Sequence, residues 1–137
     1  MKKLSILFLS ILTAACVVGY NPSYWFNEVQ VVNLSGSTIT DVRVSVLETT
    51  KSYSCEEVAQ FALCQDYFGK RHYPQQGIEL SWTHPDGSKK SELLGARIPA
   101  YYDYPFPLRV VMEILEDGSV KLFYEQETPG RDAFTIL

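Results

Sequence analysis

From Thr38 to Leu47 the chain reads TITDVRVSVL, and most of its apolar residues occupy alternate positions. Val42, Val44 and Val46 share one side, with Arg43 and Ser45 on the other, and only Thr40-Asp41 interrupts the pattern after Ile39. A repeat of two is the repeat of a strand and does not fit a helix, whose side chains recur every 3.6 residues. Such a stretch buries one face and leaves the other wet. The domain must therefore supply a second apolar layer to cover it.

Similar runs punctuate the rest of the chain. Trp25 to Leu34 alternates in part, and Ser35-Gly36-Ser37 separates it from the run at Thr38, so the two read as a hairpin. Ile78 to Thr83 and Lys89 to Leu94 flank His84-Pro85-Asp86-Gly87, which carries turn chemistry. Leu108 to Leu115 and Val120 to Tyr124 flank Glu116-Asp117-Gly118-Ser119, and Asp-Gly between apolar runs is a strong hairpin signal. Six or seven short strands with regular turns predict an all-β domain. A small β-sandwich of immunoglobulin-like or transthyretin-like character is favoured over a small barrel.

The middle of the chain departs from this pattern. Ser54-Cys55-Glu56-Glu57 has the form of a capping box, and Val58, Phe61 and Ala62 would share one face of the helix that it opens. A helix does not suit the cysteines. Nine residues separate Cys55 from Cys64, a rise of about 13.5 Å on a continuous helix, whereas a disulfide needs Cα atoms within about 7 Å. The expectation is one short helix that breaks before Cys64, so that a disulfide closes a compact loop.

The first 16 residues read as an address. Met1-Lys2-Lys3 is a positive start, Leu4 to Leu12 is apolar, and Thr13-Ala14-Ala15-Cys16 follows. This is the layout of a secretory signal. It is shorter than the roughly 20 residues that a membrane-spanning helix needs. The small residues before Cys16 resemble the lipobox of bacterial lipoproteins, although Thr13 stands where that class favours Leu, Val or Ile. The resemblance implies a signal peptide over 1–15, lipidation of Cys16 and a short tether over 16–23. A single β-rich domain over 24–137 would follow. With Val17 and not an aspartate after Cys16, it also implies an outer-membrane lipoprotein facing the periplasm. Ordinary cleavage after Ala15, giving a soluble periplasmic or secreted protein, is the alternative. Cysteine arithmetic agrees with lipidation: of Cys16, Cys55 and Cys64, lipid on the first leaves the other two to pair in an oxidising compartment.

Charge and chemistry narrow the function. Without Lys2 and Lys3, 10 basic residues face 16 acidic ones, a formal charge of −6, which disfavours nucleic acid as a partner. The two histidines, His72 and His84, show no metal-ligand spacing, and no cofactor is expected. Ser81, His84 and Asp86 carry the letters of a catalytic triad but lack a nucleophile elbow. Glu56-Glu57 suits a helix start better than acid–base work.

Two stretches are candidate binding surfaces. Asp66 to Pro74 (DYFGKRHYP) holds the densest basic cluster, Lys70, Arg71 and His72, among aromatics that include Tyr73. Basic plus aromatic suits an anionic lipid, a glycan or an acidic protein patch. Ala100 to Pro107 (AYYDYPFP) offers Tyr101, Tyr102 and Tyr104 on an arm that its prolines keep extended. The expected function is a non-catalytic interaction module, of inhibitor, immunity or assembly-accessory type, that binds an envelope protein. The alternatives are a glycan or small-ligand binder that stacks on Trp25, Trp82 or the tyrosines, and a hydrolase with an unrecognised site.

Overall fold

The computed structural model describes residues 24–74, 76–95, 98 and 106–126. They form eight strands: β1 Trp25–Leu34, β2 Ile39–Val46, β3 Ser52–Val58, β4 Leu63–His72, β5 Ile78–Thr83, β6 Lys89–Leu94, β7 Leu108–Leu115 and β8 Val120–Gln126. Two sheets of four face each other, in the orders β4-β1-β7-β8 and β3-β2-β5-β6. The fold is a small all-β sandwich. Its core is the inner faces of both sheets, with Phe26, Val29 and Val31 of β1 and Met112 and Ile114 of β7 against Val42 and Val44 of β2 and Leu80 and Trp82 of β5.

The hairpins β5–β6 and β7–β8 form where the turn residues predict them. In the second, Leu115 and Ser119 close the turn (N···O 2.9 Å) and Gly118 takes φ +80°, a conformation that glycine adopts without steric cost. The expected hairpin between β1 and β2 does not form. The two strands belong to opposite sheets, and β1 instead pairs antiparallel with β4 and parallel with β7. The cause lies at Asn33, which is buried. Its Nδ2 donates to the carbonyls of Ser37 (2.7 Å) and Val58 (2.9 Å), and its Oδ1 accepts from the Ser35 amide (3.0 Å) and hydroxyl (2.6 Å). These bonds hold a corner that carries the chain from one sheet to the other.

No helix forms at the capping box, and this raises the strand count to eight. Ser52–Val58 is a strand paired along β2, with Tyr53, Cys55 and Val58 opposite Val44, Val42 and Ile39. A helix cap is worth about 1 kcal/mol. A full ladder on the open edge of β2, with apolar residues turned inward, outweighs it. The break at Thr40-Asp41 in the β2 pattern is a slip in register against β5, with Asp41 at φ +50°. Cys55 and Cys64 are disulfide-bonded with Cα atoms 6.1 Å apart. Since β3 and β4 are edge strands of different sheets, the bond staples the two layers along one side of the sandwich.

Candidate functional site

Below the staple the two edges separate, and a cleft of about 480 Å³ opens between them. Its floor is apolar, made by Phe26 and Val29 of β1, Val44 and Val46 of β2 and Phe68 of β4. Tyr53 and Asp66 lie on the side toward the disulfide, and Tyr53 donates its hydroxyl hydrogen to Cys64 Sγ (2.9 Å). Burial, and secondarily the negative charge of Asp66, push the Tyr53 hydroxyl well above the ordinary tyrosine range. Thr49, Lys51, Ser52, Arg71 and His72 complete the lining.

A register slip puts Arg71 in the lining. Along β4, Cys64 and Asp66 pair with Val31 and Val29, so they take the inner face. Strict alternation would then turn residue 71 outward. The pairing instead jumps from Glu28↔Tyr67 to Phe26↔Arg71, and the bulge returns Arg71 to the inner side. Its guanidinium carbon lies 5.9 Å from the Phe68 ring centroid.

The rest of the basic cluster is distributed. His72 stacks on Trp25 (centroids 3.7 Å apart) and Lys70 Nζ sits 4.7 Å from the same indole ring. Tyr73 is a core residue, 5% exposed, edge-on to Phe26 and Tyr124, and burial raises its hydroxyl pKa strongly. It belongs to the packing and not to a binding surface. Trp82 is 1% exposed and gives its indole N–H to His84 Nε2 (3.3 Å), so it offers no stacking platform. Asp86 Oδ1 accepts from the Ser88 amide (2.8 Å) and so closes its own turn. Among the described residues, no group of three His, Cys, Asp or Glu side chains is placed to hold a metal ion. Cys16, Tyr101, Tyr102 and Tyr104 lie outside the described residues.

No protein-family model matches the chain. No curated protein matches it. A solved structure described as the NMR structure of the protein from Eubacterium rectale aligns over 75% of this chain and 91% of its own, at 12% identity and a TM-score of 0.47. A likeness that loose supports no conclusion about the chain.

A second surface runs along the outside of the stapled edge. Phe61, Leu63 and Tyr67 are 75%, 50% and 68% exposed. Phe61 caps the β3–β4 turn at φ +63°, a conformation that costs a bulky residue roughly 1–3 kcal/mol. It is held there by its amide, which donates to the Asn33 carbonyl (2.8 Å), while the Asn33 amide donates to Ala62 (3.0 Å). Read as part of a helix, Phe61 belongs to an apolar face packed inward. The strand and turn put it outside. Leu63 and Tyr67 alternate outward from the buried Cys64. Tyr67 lies within the Asp66–Pro74 stretch that the sequence offers as a binding surface, whereas Leu63 carries no such signal. Lys51 carries no signal in the sequence, being one charged residue in a polar turn.

Proposed function

We propose that the chain is an exported, lipid-anchored binding module of the cell envelope, without catalysis of its own. It engages an envelope protein through the ridge of Phe61, Leu63 and Tyr67. The observation that carries the reading is the ridge itself: three large apolar side chains in solvent on the β3–β4 turn and along β4, on a frame locked by a disulfide and by Asn33. Rigid aromatic anchors lose little entropy on docking and dominate protein interfaces. The lipobox-like Thr13-Ala14-Ala15-Cys16 supports the location.

The experiment is cross-linked capture of the C-terminally tagged protein from intact cells, with its N-terminal processing preserved. One reproducible envelope partner is expected. Its yield should fall at least tenfold with Phe61→Ser/Tyr67→Ser, since each buried aromatic anchor contributes on the order of 2 kcal/mol. Both side chains are exposed, so the variant should melt like the parent. Undiminished capture by the folded variant removes the ridge from the reading. Intact mass of the membrane-extracted protein tests the anchor, and an unmodified Cys16 argues against it.

A further inference from the structure

The cleft is a different surface from the ridge, since its floor belongs to the inner faces, with Thr49 and Lys51 added from the β2–β3 turn, while Leu63 and Tyr67 point outward. Its charge is the unusual feature. Elsewhere on the same sheet a cation is matched: Arg109 meets Glu28 at 2.7 Å and Glu125 at 3.0 Å. Lys51 and Arg71 both line the mouth, and among the described residues neither has a carboxylate within 4.0 Å. In a chain of formal charge −4, two unmatched cations at the rim of an apolar cleft favour an anion. The bulge matters here, because bulges re-aim side chains at functional sites and this one turns an arginine toward an apolar floor. A guanidinium presents a planar fork suited to carboxylate or phosphate oxygens.

Asp66 fixes the direction. It lies toward the staple beside Tyr53 and repels an anion placed there, so the negative group must sit at the Lys51–Arg71 end. The volume, about 480 Å³, is at the small end of ligand pockets, which run from roughly 300 to 1,000 Å³. We propose that the cleft binds a single-chain amphiphile with an anionic head group. The head lies between Lys51 and Arg71, and the chain covers Phe26, Val44 and Val46. A carboxylate and a phosphate monoester meet this chemistry equally.

The test is calorimetric titration of the full chain, carried in discs of neutral phospholipid, with empty discs as the blank. The probes are octanoate and octyl phosphate, with butyrate and octyltrimethylammonium as controls for chain and charge. Saturable one-to-one binding is expected for at least one anionic octyl probe, with both controls at least about tenfold weaker. Octanoate alone points to fatty acids, and octyl phosphate alone points to phosphate-monoester lipids of the lysophosphatidate type. Lys51→Gln/Arg71→Gln should weaken binding about tenfold or more, as expected for losing charged hydrogen bonds. Val46→Trp should block the chain while leaving both cations in place, which keeps the test decisive if either variant folds poorly. Equal binding of anionic and cationic probes, no saturable binding, or full affinity in both folded variants overturns the proposal. None of these results depends on a protein partner, so this site and the ridge stand or fall separately.

Discussion

Asn33 is fully buried and every polar atom of its side chain is used, the amide nitrogen on two carbonyls and the oxygen on Ser35. Replacing that nitrogen with oxygen sets a carboxylate against the carbonyls of Ser37 and Val58. Asn33→Asp should therefore cost about 3 kcal/mol or more at neutral pH, read as a lower denaturation midpoint with an unchanged slope. No sequence pattern identifies this residue, because one asparagine before a Ser-Gly-Ser turn looks like turn chemistry. What distinguishes it is burial, and burial is a property of the assembled sandwich. Arg71 is similar. Its place in a basic, aromatic stretch was readable, but which way it points depends on a slip in pairing with β1 that involves residues far away in the chain.

Strands were the most readable elements, because alternation and Asp-Gly turns are local signals. β1, β2, β5, β6, β7 and β8 follow from them, and so does the break at Thr40-Asp41; the pairing of β1 does not. β3 is masked because a capping box competes locally with strand pairing, and the free edge of β2 that decides the contest is not local. β4 lacks clean alternation, and the edge of β1 that it pairs with is equally distant in the chain. The segment after β6 shows what elements demand of one another. Gly95 takes φ +68°, and a Cβ there would overlap the Tyr73 hydroxyl and lie 2.8 Å from that of Tyr124. Those hydroxyls are 3.3 Å apart inside the core. Gly95→Ala should destabilise by about 1–3 kcal/mol from strain and overpacking. Adding Tyr73→Phe should recover part of the loss, which a double-mutant cycle measures.

At the scale of the molecule, two layers are held by the core and by one covalent staple. Cys55→Ala/Cys64→Ala should cost about 2–3 kcal/mol, the chain-entropy value for a loop of this size, and thermal unfolding under reducing and oxidising conditions checks it. The pairing was readable from cysteine arithmetic, whereas its bridging of two sheets was not. Alkaline stability follows from the tyrosines. Burial raises the pKa of Tyr53, Tyr73 and Tyr124 above the unfolded value near 10. The unfolded chain thus releases protons that the folded one keeps. Stability is complete below pH 10 and falls above it, by about 1.4 kcal/mol per pH unit for each tyrosine still protonated when folded. Denaturant titrations from pH 8 to 12 should show this slope, reduced in Tyr73→Phe. Finally, β1 lies inside its sheet, between β4 and β7. The ladder bonds on either side run across the strand, so a pull from the Tyr24 end loads them together, in shear, instead of peeling them one by one. The end of the domain nearest the proposed anchor is thus a grip that resists tension, suited to a protein tethered at one end and gripped by a partner at the other.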